Sequence, residues 1–585
     1  MFLLITLLTS IVLSICWALY TLFIESLFSP LRNLPGPDGG SGLGINGHLA
    51  SVLKLNTSRV THEEYTSKYG RNVRIKGLGN FEDRLLTTDP VALAYVMNHT
   101  NEYQKPWQSR RVITRLIGEG SLLIGWVYGE LTGRINAGML AAEGQVHKRM
   151  RRVGTPAFSI QNMRAFIPVT FKKALELKDK WNAIIDARGG EPNHSNEYEK
   201  EKLPEGEKSG AKMDVCHWIS RATFDVIGLA GFDYNFSAIQ NEENELFLAY
   251  KDMFEIAISR GGGLWDIAII YFPWLERLFP NEKTHIVRKS QEIIRRVGSH
   301  IIQEKTKRIV EGEKNGSGYE GIDFLSLLIK SNLSKDITPS QRISDEDLLA
   351  NVNTFFFAGS DTTSLALTWV LFLLAADPAI QDRLRAEVRE FSASFPILPS
   401  ISEKDAWQEI WVGLDDLPYL NNVIRETLRI IPPVHSSIRV ATQDDEIPTS
   451  EAIKMRDGSV KYGVKIRKGQ FVHVPVESMN VDKEVWGEDA WMFNPDRWDN
   501  LPAAVLEQPG LYNHILSFSA GPRSCIGMRF SIIEMKSFLC ILLSNFTFCQ
   551  VEGERVIAAN VVLTRPYVAG KFLEGSQCPL RVSRI

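Results

Sequence analysis

The sequence predicts a mainly α-helical domain with small β-sheets, preceded by one N-terminal transmembrane helix. Three observations predict it. Long stretches of the body carry apolar residues three and four apart, strand-like runs are short and local, and the chain opens on a run without charge. The chain has 585 residues, 44% apolar and 23% charged, enough for one large domain with a full core. A formal net charge of -3 argues against a general affinity for nucleic acid.

The opening run comes first. Phe2 to Ile24 contains no charged residue and is mostly Leu, Ile, Phe and Val. About 20 such residues cross a hydrocarbon core. A cleaved signal has an apolar core of roughly 7–15 residues after a basic start. This run is longer and lacks that start, which predicts a retained, single-pass anchor over residues 1–28. The competing reading is a buried helix at the edge of the domain. Positive charge follows the run at Arg32, Lys54 and Arg59 and does not precede it, so the body is expected to face the cytosol. Leu34-Pro35-Gly36-Pro37 ends any helix, giving a hinge over 29–40 and a body over 41–585.

Within the body, Met163–Ile184, His217–Leu229, Glu242–Ser259 and Thr284–Val310 read as helices. Asp345–Ala375 is apolar on most faces and is expected to run through the core. Val73–Ile75, Val464–Ile466 and Phe471–Val474 read as strands. Residues 186–212 are dense in Glu, Lys, Gly, Pro and Asn and predict a disordered surface loop; Glu311–Gly321 is similar and shorter. The six cysteines are scattered, with no CxxC pair and no nearby His at zinc-finger spacing, and the length of the chain argues against a disulfide framework.

Only Cys525 has informative neighbours. Phe518-Ser519-Ala520-Gly521-Pro522-Arg523-Ser524-Cys525-Ile526-Gly527 carries five fixed positions: Phe518, Gly521, Arg523, Cys525 and Gly527. Chance would produce them in on the order of one such chain in ten thousand, so the pattern is read as functional. Glycines at 521 and 527 allow the backbone to turn tightly and approach the sulfur, and backbone N–H groups can then tune a thiolate held there for a metal. Within the long apolar stretch, Ala358-Gly359-Ser360-Asp361-Thr362-Thr363 places residues that are costly in a helix interior. This predicts either a mild kink with threonine bonding back to helix carbonyls, or a functional opening of the helix. Glu426 and Arg429 lie three apart, on one helix face, and Phe493-Asn494-Pro495-Asp496-Arg497-Trp498 follows downstream.

Together these segments resemble the cytochrome P-450 family, and the resemblance runs from about Leu34 to Arg565. It implies the family fold, with iron protoporphyrin IX (haem b) bound through Cys525 as axial ligand. Phe518 would cover the sulfur side of the cofactor and Arg523 would pair with a porphyrin carboxylate. Glu426, Arg429 and Arg497 would form the cluster that braces the pocket. Thr362 would bind the oxygen and Asp361 would help relay protons to it. Where the family often has Trp-x-x-x-Arg meeting a haem propionate, this chain has His147 and Arg151; imidazole can donate the same kind of hydrogen bond. Arg439 is a further candidate propionate partner.

The implied activity is a haem-thiolate monooxygenase of the endoplasmic reticulum membrane, acting on a small apolar or amphipathic substrate. No flavin or nicotinamide module fits in the remaining length. Electrons would come from NADPH through the flavins of a separate NADPH-cytochrome reductase, with a cytochrome b-type protein as a further donor. Arg529, Lys536 and Lys148–Arg152 are the basic residues expected to meet it. Tyr103–Arg115, Phe254–Trp265, Phe355–Phe357, Val434–Ile438 and Leu563–Pro566 are the expected pocket walls. Rival readings are a haem-thiolate isomerase or dehydratase that uses no dioxygen, and a haem sensor or carrier. Residues 124–138 stand out, because the family's glycine-leucine segment usually runs almost directly into the Ala-Glu-Gly found here at 142–144. They are read as an enlarged loop or a translated intron.

Overall fold

Local chemistry sets where the helices begin and end. The structure, a computed structural model, describes residues 24–38, 47–54, 57–77, 82–117, 138–187, 210–259, 264–272, 274–314, 321–333, 342–400 and 403–585, with a few isolated positions besides. Asp89 Oδ1 accepts from the N–H groups of Val91 and Ala92, and Pro90 fills the first turn, so α1 (Pro90–Asn98) starts there. Then come α2 (Gly144–Gly154), α3 (Ile167–Ala187), α4 (Val215–Phe232), α5 (Glu245–Ser259) and α6 (Glu282–Lys314). α7 (Asp345–Ala376) is capped by Ser344 Oγ, which accepts from the Asp347 N–H at 3.1 Å. Three acids in its first turn complement the helix dipole, and it stops before Pro378. α8 (Pro418–Ile430) opens on proline, and α9 (Met528–Asn545) follows the cysteine loop.

The strands are short. They are β1 (Asn72–Lys76), β2 (Asp83–Thr87), β3 (Tyr103–Gln104), β4 (Gly210–Asp214), β5 (Ser437–Ala441), β6 (Asp445–Lys454), β7 (Val460–Ile466), β8 (Phe471–Val474), β9 (Phe546–Gln550), β10 (Val556–Val561), β11 (Leu563–Val568) and β12 (Pro579–Arg584). The fold is thus mostly helix with small sheets, as the periodicity implied.

The chain forms two compact units. One holds the described residues up to Pro106, with Val434–Met492 and Leu501–Ser524. It carries a five-stranded sheet in the order β1-β2-β8-β5-β3 and the hairpin β6-β7. Every residue of β2 is buried, as a central strand covered on both faces requires. The other holds Trp107–Pro433, Phe493–Asn500 and Cys525–Ile585, with the sheet β4-β12-β9 and the hairpin β10-β11. Its core centres on α7. Phe356 stacks on Phe232 with ring centroids 4.1 Å apart, and Trp369 Nε1 donates to the Thr564 carbonyl at 2.9 Å.

Several boundaries moved. α6 continues to Lys314, four residues into a stretch expected to be loop, because its helical ladder outlasts its apolar face. Residues 210–212, expected in the polar loop, pair instead as the start of β4 against β12. The expected anchor falls mostly outside the described residues, as do 188–209 of the loop and nearly all of 124–138. Among the described residues α7 alone is long and apolar enough to cross a membrane, and most of its apolar stretch is buried inside the protein.

Candidate active site

The cysteine loop is built by backbone geometry. The three-residue turn Gly521–Arg523 follows an extended Ala520, and Gly521 has φ +64°. A Cβ at 521 would lie 2.6 Å from the Met97 carbonyl oxygen, so glycine is required there. In the same unit Phe518 is buried and meets Tyr512 edge-to-face at 5.5 Å, and Arg523 is half-buried. Gly527 differs from expectation. Its φ is -89°, and a Cβ there would meet no atom within 4 Å. Glycine at 527 is not needed for a tight turn; a side chain there would meet open space.

Cys525 itself is an exposed residue. Burial pushes its thiol pKa up, while the N–H groups of Gly527 and Met528 and the charge of Arg151 oppose that shift. These are groups that stabilise a thiolate and tune its donor strength. An exposed cysteine whose thiol is met by two backbone donors fits an axial ligand to a flat metal macrocycle. The described residues hold no cluster of three or more His, Cys, Asp or Glu able to chelate a bare metal ion.

α2 presents two candidate partners one turn apart. His147 is buried on the face it shares with Met150 and Val153, and Arg151 is half-buried. Burial lowers the Arg151 pKa, and attraction to Cys525 opposes this. Arg439 lies in the other unit, on β5. It is 4% exposed and donates to the Ser437 hydroxyl and to the Ile438 carbonyl at 3.0 Å.

The Glu426 cluster is fully formed. Arg429 grips Glu426 with Nε–Oε2 at 2.9 Å and Nη2–Oε1 at 2.7 Å, and Arg497 Nε reaches Oε1 at 3.4 Å. Two further donors were missed in the sequence: Trp498 Nε1 at 3.0 Å and the Asn494 N–H at 3.0 Å. Their signal was proximity in sequence, since Trp498 follows Arg497 and Asn494 caps the short turn that carries both.

The oxygen-side motif takes one of the two forms the sequence left open. α7 runs through 358–363 without a break, which favours back-bonded threonine over an opening. The Thr362 hydroxyl donates to the Ala358 carbonyl at 2.7 Å, and Ser360 does the same to Phe356 at 2.7 Å, so the helix absorbs its polar side chains by back-bonding. Asp361 forms an ion pair with Arg565 of β11, a partner unnoticed in the sequence although an arginine in Leu-Thr-Arg-Pro-Tyr-Val was a visible anomaly. Lys536 is a correction: it is 1% exposed and paired with Asp415, so it offers no donor surface. Lys148, Arg152 and Arg529 are exposed.

Comparison with known proteins gives the same picture. A family model described as cytochrome P-450 matches residues 120–567. A cytochrome P-450 monooxygenase of Postia placenta is 35% identical over 97% of this chain and 95% of its own length. Another from Ampulloclitocybe clavipes is 29% identical over 91% of this chain and 90% of its own length. A ganoderic acid synthetase of Ganoderma lucidum is 31% identical over 90% and 89% respectively.

Proposed function

The chain belongs to the cytochrome P-450 family and is a monooxygenase of it, and on that premise we propose that it oxidises an apolar or amphipathic molecule of secondary metabolism, with haem b bound through Cys525 and electrons from a separate NADPH-dependent reductase. The overall chemistry takes one dioxygen, two electrons and two protons; one oxygen atom enters the substrate and the other leaves as water. Haem, when bound, supplies dioxygen binding and the oxidising power, and thiolate donation favours O–O cleavage, for which this family is the general example.

The chain's own residues supply the rest. Cys525 is the ligand, held by the Gly527 and Met528 N–H groups. His147, Arg151, Arg439 and Arg523 carry the donors that suit the cofactor's carboxylates, and Phe518 shields the sulfur side. Glu426, Arg429 and Arg497 fix the frame around the cysteine loop. Asp361 and Thr362 carry protons towards the oxygen side. Lys148, Arg152 and Arg529 form the basic surface for an acidic electron donor.

The uncharged run Phe2–Ile24 supports an anchor in the endoplasmic reticulum membrane with the body on the cytosolic side. The relative named for ganoderic acid synthesis supports a substrate from secondary metabolism.

The observation that carries this reading is the exposed Cys525 with two backbone donors to its thiol. Its test is the carbon-monoxide spectrum of the reduced protein, followed by NADPH consumption in the presence of reductase. A red-shifted Soret band and substrate-dependent oxidation are expected. An unshifted band would overturn the ligand assignment, and product formed without dioxygen would favour an isomerase or dehydratase.

A further inference from the structure

The Asp361–Arg565 ion pair borders a pocket that the reading above does not use. α4, α5, α7 and β11 wall it, and its volume is about 70 Å³. At about 15 Å³ for each water-sized group, roughly four or five such groups fit. The charges on its wall do not balance. Asp361 is the one acid among the described residues that line it, and Arg565 holds that carboxylate in an ion pair. His217 is uncharged at neutral pH, since burial lowers its pKa to about 3. The ammonium of Lys251 is left over. Lys251 is half-buried and has no ion-pair or hydrogen-bond partner among the described residues. Asp214 feels its charge but makes no ion pair with it; Asp214 Oδ1 instead accepts from the N–H groups of Cys216 at 3.0 Å and Cys578 at 2.8 Å.

The hydroxyls on the wall divide in the same way. Ser220, Ser360, Ser364 and Ser576 each donate to a backbone carbonyl, at 2.7–3.1 Å. Tyr250 is the exception. Its hydroxyl is buried and has no hydrogen-bond partner among the described residues, which is costly in a dry site. Two donors therefore stand ready, a phenol hydroxyl and an ammonium. They follow each other on α5, about 100° apart around the helix, and so reach the pocket from different directions. Phe224, Phe247 and Phe357 supply the apolar part of the lining.

We propose that this pocket is a binding site for a small monocarboxylate. One carboxylate oxygen accepts from the Lys251 ammonium and the other from the Tyr250 hydroxyl, and the hydrocarbon end lies against the three phenylalanine rings. One uncompensated positive charge suits a monoanion. A dianion such as inorganic phosphate would leave a charge without a partner in a half-buried site. The space suits propionate, or the carboxyl end of a longer acid. Two sources share that chemistry: an acid group on the substrate itself, and a separate small acid bound beside it. Occupancy needs no turnover, so the site stands or falls apart from the haem chemistry.

The test uses the full-length, haem-loaded protein without reductase. The probe is propionate, with propionamide as its neutral twin, at constant ionic strength. Calorimetric titration should show propionate bound about tenfold more tightly than propionamide or better, and propionate alone should raise the melting temperature. Lys251→Met should weaken propionate binding roughly tenfold and leave propionamide unchanged, and Lys251→Arg should restore most of the loss. Tyr250→Phe removes only the hydroxyl and should weaken propionate binding about fivefold. Lys289→Met, at an exposed lysine of α6 outside the pocket, should bind propionate as the parent does. Melting curves identify any variant that fails to fold, and the parent's preference for acid over amide decides the matter in that case. Decanoate separates the two sources. If it displaces propionate and moves the ferric Soret band to shorter wavelength, the pocket takes the acid end of the substrate. If it leaves propionate bound or the band unmoved, the pocket takes a separate small acid, and either result supports the site. A parent that binds propionate no better than propionamide overturns the proposal. So does a folded Lys251→Met or Tyr250→Phe that binds propionate as tightly as the parent, or an equal loss in Lys289→Met.

Discussion

Arg429 donates two hydrogen bonds to Glu426, and neither side chain is exposed to solvent. The pair lies three residues apart on α8, so helix geometry alone brings the groups together, and burial turns an ordinary surface motif into a clamp. Removing one partner of such a pair leaves an uncompensated buried charge. Arg429→Ala should cost about 3 kcal/mol or more, even though Arg497 and Trp498 remain on the carboxylate. Arg429→Lys keeps the charge and loses the two-pronged contact, so its loss should be smaller but still measurable. Denaturant unfolding of the two variants, with haem content per chain, checks both.

Cys525→Ser tests the ligand without testing the fold. Cys525 is an exposed residue and serine is nearly its shape, so exchanging sulfur for oxygen should move stability by less than about 1 kcal/mol. Far-ultraviolet dichroism should be unchanged. The carbon-monoxide complex of the reduced variant should lose the red-shifted band, and substrate oxidation should fall to background. Full turnover by the serine variant would remove Cys525 from the chemistry.

The comparison of sequence with structure has a physical pattern. What depends on local spacing was legible. The Glu426–Arg429 pair follows from three-residue spacing, and β8 was placed at Phe471–Val474. What depends on contacts far apart in sequence was not. Asp361 and Arg565 are separated by 204 positions, and no local pattern announces that they meet. Lys536 read as a surface cation because its charge was weighed without its neighbour Asp415, 121 positions away. For α7 the sequence left a back-bonded helix and an opening both standing, and packing decided between them. Gly359, Asp361 and the threonines do disfavour helix, but back-bonded hydroxyls and dense packing around α7 outweigh propensity.

The buried imidazoles predict an acid limit to stability. Burial lowers the pKa of His62 and His435 to about 4 and that of His217 to about 3, and it takes His473 well below its ordinary value. For His62 the proximity of His435 adds to the effect, and for His217 so do Arg221, Lys251 and Lys180. In an unfolded chain each would bind a proton near pH 6.5. Between that value and the folded one the unfolded state holds more protons, so stability falls as pH falls. The slope is at most about 1.4 kcal/mol per pH unit for each group. Urea midpoints should therefore drop between pH 6.5 and 4.5, and His62→Asn should flatten the drop. A parent midpoint that stays constant across that window would contradict the prediction.

Glu534 predicts the opposite dependence from the other side of the pH scale. It sits on α9 between Ile533 and Met535, wholly buried, and neither carboxyl oxygen has a hydrogen-bond partner among the described residues. Burial pushes its pKa well above the ordinary value of 4.5, so the folded protein keeps the proton that an unfolded chain releases. Above about pH 4.5 the unfolded state binds fewer protons, and stability attributable to this group is lost as pH rises towards the folded pKa. Glu534→Gln removes the titration and keeps the shape. It should match the parent near pH 4.5 and become progressively more stable relative to it up to pH 8. Glu534→Met, which also removes the unpartnered polar atoms, should gain a further 1–3 kcal/mol or so at neutral pH if the site accepts the thioether. Paired denaturation curves at pH 5 and pH 8 read the difference. A gap between variant and parent that is the same at both values would mean that Glu534 does not hold its proton in the folded state.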